Sequence, residues 1–199
     1  MAQIVRALAI LLLFAAPSSA PAHPVPAGIV PQLPRGFTVL ASARAPNVDG
    51  HDFYFIALAS NEEKTLEIGV DPAPARPLLI YEHHRDGRFS PVGRNDEVVM
   101  KIDQGGQCDP FDPGHIATKG PFFTVENEVA CGSHWTNYVT FRFDPAAKGY
   151  VFDNRRTESW LMNPSDDPHA DALVSDGQHV TRSTKLHAVP FARWKRPIE

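Results

Sequence analysis

The chain has 199 residues, 43% hydrophobic and 21% charged, with a formal net charge of −4, 19 prolines, 13 glycines and 2 cysteines. The hydrophobic fraction is too high for a disordered chain, the proline is too scattered for a repeat fibre, and two cysteines cannot build a disulfide-rich mini-scaffold. A pI near 6.1 argues against a nucleic-acid binder, which normally presents a basic face, and the length suits one domain.

Residues 1–22 have the order of a secretory signal. Arg6 is followed by the apolar run Ala7 to Ala16 and then by the small residues Pro17 to Ala22. Ten apolar helical residues reach about 15 Å, half of a bilayer core of roughly 30 Å, so a transmembrane helix is not expected. Ala20-Pro21-Ala22 fits a cleavage site, which places the cut between Ala22 and His23. The mature chain then has no membrane anchor and is expected in the periplasm or outside the cell. Losing Arg6 takes its formal charge from −4 to −5. Residues 23–34 contain Pro24, Pro26, Pro31 and Pro34 and read as an extended lead-in without its own core. The domain proper is expected over 35–199.

The body reads as strands. Alternation of period two marks 37–41, 65–70, 77–81, 97–102, 122–127 and 135–143, and the near-continuous apolar run 53–58 reads as a strand covered on both faces. Arg85-Asp86-Gly87-Arg88 carries a hairpin-turn signal. In 135–143 one face holds Trp135, Asn137, Val139, Phe141 and Phe143, which makes Trp135 a core residue, and the other holds Thr136, Tyr138, Thr140 and Arg142. Shorter strands are expected at 150–152 and 159–162 and a last one over 179–189, with 163–178 as a long surface loop. No segment keeps a helical stripe for three turns. The fold class is therefore all-β: a single-domain antiparallel meander, sandwich or incomplete barrel. In an exported chain Cys108 and Cys131 are expected to pair, a staple worth roughly 3.4 kcal/mol for a loop of this size.

Three stretches point further. Arg76-Pro77-Leu78-Leu79-Ile80-Tyr81, Gly105-Gly106-Gln107-Cys108-Asp109-Pro110-Phe111 and Gly132-Ser133-His134-Trp135 with Thr140-Phe141-Arg142-Phe143 resemble a group of exported bacterial proteins. In that group an integrin-like D-x-N-x-D-G segment precedes an R-x-L-x-I strand, a G-D-P-F turn and a G-S-x-W…T-F-R-Y strand. One member is an immunity lipoprotein that inhibits a lysozyme-like effector and folds like periplasmic lysozyme inhibitors. The resemblance spans roughly residues 40 to 153 and implies a calcium segment at Ala45 to Phe53. There Asn47, Asp49 and Gly50 match, Ala45 replaces the first carboxylate, and Asp52 stands one residue early. The second Trp-Arg pair of the group is missing around Trp135.

Asn47, Asp49 and Asp52 are thus the calcium candidates, set against an ordinary Asx-type turn. Asp109 and Asp112 offer a second oxygen site, set against a β-turn pair pinned by Cys108. The nine histidines show no zinc spacing, and His83 and His84 point to opposite faces if their strand continues. Gly132-Ser133-His134 lacks the G-x-S-x-G elbow of a serine hydrolase. No cofactor is expected. The reading is a non-catalytic binding or inhibitor module whose partner is a cell-wall-degrading enzyme of the lysozyme type, with no nucleic acid involved. The loops expected to reach that partner are Ser133-His134 and Asn154-Arg155-Arg156. The alternatives are a periplasmic hydrolase of envelope polymers and a structural envelope protein.

Overall fold

The computed structural model describes residues 23–112, 115–132, 134–165, 167–184 and 188–197. The expected signal segment, Ala22 and Ser133 lie outside them, while His23 lies within. Among these described residues nine strands form two antiparallel sheets, each a simple meander. The first holds β1 (Phe37–Val48), β2 (His51–Ser60), β3 (Arg76–His83) and β4 (Phe89–Val99) in that order. The second holds β5 (His115–Lys119), β6 (Phe122–Val129), β7 (His134–Asp144), β8 (Gly149–Met162) and β9 (Leu173–Arg182). Three short 3-10 turns complete the described secondary structure, and among the described residues no helix is long and apolar enough to cross a membrane.

The sheets pack face to face over an aromatic core. Phe55 of the first sheet meets Phe123 of the second with ring centroids 4.4 Å apart, and Phe123 stacks on Phe141 at 5.0 Å. Period-two alternation puts Ala41, Ala43, Ala45, Phe53, Phe55, Ala57, Leu78 and Ile80 on the inner face, opposite Val139, Phe141 and Phe143. Asn127 ties the layers together: its Oδ1 accepts from Met100 N at 2.8 Å and its Nδ2 donates to the Val98 carbonyl at 3.2 Å. Thr118 Oγ1 donates to the Arg44 carbonyl at 2.9 Å beside the β1–β5 seam.

The two outer faces differ. On the first sheet, Ile56, Leu58, Leu79 and Tyr81 are buried under Ile29, with Val25, Leu33 and Phe37 packed against them. This is why 53–58 is apolar at every position. Residues 23–34 are therefore a plug: they hold a turn and the 3-10 helix Val30–Gln32, and Ile29 is fully buried. Among the described residues, the outer face of the second sheet has no such cover.

Several expected boundaries are corrected. Residues 65–70 are not a strand. Gly69 adopts φ +88°, Val70 N and Asp71 N both donate to the Glu67 carbonyl, and Ile68 and Val70 are exposed. The strand expected at 97–102 begins at Phe89 and stops at Val99. The expected strands 150–152 and 159–162 are one strand, β8, so Asn154, Arg155 and Arg156 are mid-strand rather than a loop. The expected loop 163–178 gives way to β9 at Leu173, and β9 ends at Arg182. Trp135 is half-buried at the sandwich margin, outside the core.

Past β9 the chain returns to the interior. Phe191 and Trp194 are both buried, and Phe191 meets Phe141 edge-on at 5.1 Å. Asn95 Nδ2 donates to the Phe191 and Trp194 carbonyls at 2.7 and 2.8 Å, while its Oδ1 accepts from Glu97 N and Val98 N. All four bonds of this buried amide are filled.

Candidate functional site

One end of the sandwich is closed. Cys108 and Cys131 are bonded, with Cα atoms 6.2 Å apart, and join the β4–β5 loop to the end of β6. Gly105 packs so tightly against the Cys108 carbonyl that no side chain fits there. Beneath the staple lies Arg76, 1% exposed. Its Nη1 and Nη2 donate to the two oxygens of Asp109 at 2.6 and 2.7 Å, its Nη2 and Nε donate to Glu63 at 2.6 and 3.0 Å, and Nη1 also donates to the Met100 carbonyl. Burial pulls the guanidinium pKa down, but the bonds to Asp109 and Glu63 outweigh it and leave the net shift upward. Asp109 Oδ1 also accepts from Phe111 N at 2.9 Å. The arginine of the R-x-L-x-I stretch and the aspartate of the D-P-F turn are thus partners in one fork-to-fork clamp. Both Asp109 oxygens are committed to Arg76 rather than left open as ligands.

The opposite end is open. A cavity of about 650 Å³ lies between the sheets, walled by Phe53 and Ile80 from one and Phe143 and Tyr150 from the other. That size falls within the range of small-molecule sites. Two hairpin turns flank it: Asp49, at φ +50°, follows β1, and Lys148, at φ +50°, precedes β8. Between them stands a polar cluster set by strand register. Glu82 pairs with Phe53 across β2–β3 and with Ser90 across β3–β4, so His51, Glu82 and Ser90 share the inner side. His51 Nδ1 donates to Glu82 Oε1 at 2.6 Å. His84 Nδ1 lies 3.7 Å from the same oxygen, and its Nε2 is 2.8 Å from Ser90 Oγ. Tyr150 is 4% exposed, and its hydroxyl has no hydrogen-bond partner among the described residues. Burial raises its pKa well above the ordinary phenol value.

The calcium candidates are split between two places. Asp52 lies on the outer side, where its Oδ1 accepts from Asn47 N at 2.7 Å and its Oδ2 from Arg44 Nη2 at 2.6 Å. These two bonds, the Asn47 amide first, hold its carboxyl below the usual range. Asn47, at φ +53°, shapes the turn, whereas Asp49 lines the cavity with His51. The local contact is the Asp52 carboxylate bridging the Asn47 amide and the Arg44 guanidinium.

A second concavity, of about 780 Å³, crosses the outer face of the five-stranded sheet. Register puts Tyr138 opposite Arg156 and Arg156 opposite Val180, all on this face. The Arg156 guanidinium lies 4.4 Å from the Tyr138 ring centroid, with Nε 3.4 Å from Glu158 Oε1. Burial, then the nearby Glu126 and Glu158 carboxylates, raise the Tyr138 pKa. Thr124, Thr140, Asn154, Gln178 and Arg182 extend the polar floor.

Of the expected partner residues, then, Arg156 stands on the open face and Arg155 on the opposite face of β8, buried. His134 opens β7, half-buried and paired with Trp160, four positions along the strand from Tyr138, the partner of Arg156. Sequence reasoning assigned no role to His51, Glu82, His84, Ser90 and Tyr150. Their only signal was that Glu82 and His84 are two apart on a strand entering a D-G turn, which puts both on one face. No family model, no curated protein and no solved structure matches this chain.

Proposed function

We propose that the protein is a non-catalytic binding module of the cell envelope, engaging a cell-wall-degrading enzyme of the lysozyme type through the outer face of its five-stranded sheet. The observation that carries the reading is the Tyr138–Arg156 pair at the centre of an uncovered polar concavity. A guanidinium laid on an aromatic ring is held in place before a partner arrives, and arginine and tyrosine are the residues that dominate protein interfaces. Paired carboxylates in a muramidase cleft are a fitting acceptor for such a fork. The resemblance of the central stretches to a group with one inhibitor supports the same direction, and a mature charge of −5 favours encounter with a basic enzyme. The test is muramidase activity over a panel of lysozyme types with increasing protein. At least one enzyme should slow, and Arg156→Ala should weaken the effect by tenfold or more without lowering the melting temperature. If no enzyme slows at a tenfold molar excess, the reading fails for those types.

A hydrolase is the second reading, and one observation favours it: Ser90 Oγ, His84 and Glu82 stand in the order of a nucleophile, base and orienting acid. The outer link, at 3.7 Å, is an ion-pair distance rather than a hydrogen bond. A fluorophosphonate probe decides it. Attack by Ser90 would form an oxygen–phosphorus bond, release fluoride and pass the hydroxyl proton to His84. A labelled chain that becomes unlabelled in Ser90→Ala supports the reading, and an unlabelled wild-type chain ends it.

A further inference from the structure

The open end of the sandwich has the features of a ligand site independent of the outer-face reading. Its volume of about 650 Å³ is several times that of a single side chain, and its walls are the inner-face rings Phe53, Phe143 and Tyr150. These three rings form one cluster: Phe53 to Phe143 is 5.3 Å, Phe53 to Tyr150 5.3 Å and Phe143 to Tyr150 5.6 Å. His51 extends it toward the rim, with its ring 6.0 Å from Phe53. Such a wall accepts an apolar body.

The charges around the mouth are specific in another way. Glu82 is already bonded to His51. What remains is one carboxylate, Asp49, and one ammonium, Lys148, on turns of opposite sheets, and neither has an ion-pair partner among the described residues. Both sit in left-handed backbone conformations, which lift each tip out of its own strand ladder. An isolated anion or cation would find one of these two groups repulsive. A molecule that carries both signs finds a partner for each.

We propose that this cleft binds a short zwitterionic peptide with an apolar side chain. The side chain lies against Phe53, Phe143 and Tyr150, the free amine pairs with Asp49, and the free carboxylate pairs with Lys148. The occupant is small: the two turns bracket one mouth, so a long chain with distant termini cannot engage both charges.

Calorimetry with the mature protein tests this, using the dipeptide Ala-Phe as probe together with its N-acetyl and C-amide derivatives. The free dipeptide should bind saturably, and each blocked derivative should bind about tenfold more weakly. Asp49→Asn should abolish the difference between free and acetylated peptide, and Lys148→Asn the difference between acid and amide. Asparagine tolerates the left-handed backbone, so both variants should fold. Val92→Trp, at a half-exposed position of the cleft wall, should remove binding while Tyr138 and Arg156 remain untouched. Absence of saturable binding at millimolar peptide overturns the proposal, as does binding indifferent to both end-blocking groups or undiminished in Val92→Trp. None of these outcomes bears on muramidase inhibition through Arg156, so the two readings fail separately.

Discussion

The two ends of the sandwich are built from the same strands and are held by opposite means. At the closed end a disulfide, a buried guanidinium shared by two carboxylates and the Asn127 bridge all cross between chain segments distant in sequence. At the open end no covalent link or buried ion clamp joins the sheets among the described residues, and contact there is aromatic and peripheral. At the closed end Arg76, Glu63 and Asp109 satisfy one another. At the open end Asp49 and Lys148 have no ion-pair partner and the Tyr150 hydroxyl no hydrogen-bond partner among the described residues. The contrast assigns stability to one end and leaves the other free to be shaped for binding.

The largest effect should come from breaking the clamp. Arg76→Ala leaves Glu63 and Asp109 facing each other without their cation, and removing one member of a buried pair costs about 3–5 kcal/mol. Urea unfolding should show it as a lower midpoint at unchanged slope. A loss below about 1 kcal/mol would mean that the closed end is not the stabilising one. Reducing the Cys108–Cys131 bond should cost next most, roughly 2–4 kcal/mol, because the unfolded chain regains loop freedom. Thiol counting under denaturation without reductant should find none free, and the melting temperature with and without reductant measures the effect.

The strands that face the core on one side were legible, and so was the pairing of the cysteines. β2, β3, β6 and β7 all carry alternation or an unbroken apolar run, because burial on one or two faces leaves that imprint. The first half of β9 and the middle of β8 were missed for the converse reason. Asn154 to Glu158 faces an uncovered sheet surface on alternate positions and a polar margin on the others, so its composition is that of a loop. Residues 65–70 misled in the other direction: alternation there is a coincidence of a turn, closed by Val70 N and Asp71 N on the Glu67 carbonyl with Gly69 at positive φ. The cleft was hidden because its residues come from five strands, and only register brings Ser90 opposite Glu82 and Glu82 opposite Phe53. No spacing along the chain encodes that.

At the open end the effects should be smaller and can differ in sign. Tyr150→Phe deletes an unsatisfied buried hydroxyl and keeps the ring contacts, so it should raise stability by about 1 kcal/mol. A melting temperature lower than wild type would show that the hydroxyl has a bonding partner after all. The smallest effect concerns pH. The carboxyl of Asp52 has a folded pKa below its unfolded value, so its contribution is complete above the unfolded pKa of about 4 and fades as pH falls through the lower folded value. Melting temperatures from pH 6 to pH 2 should fall less steeply in Asp52→Asn than in wild type. An identical slope would show that the turn at Asn47 gains nothing from this carboxylate.

Phe191 and Trp194 close the core from the far end of the sequence, held there by Asn95 of β4. A ribosome delivers them after all nine strands, so the sandwich cannot reach its final packing while those residues are still in the exit tunnel or, in an exported chain, still crossing a translocation channel. Until then Phe141 and Phe152 lack the rings that cap them. The emerging chain therefore stays loosely packed until its last residues are free to fold back, because the rings that complete its core are delivered last.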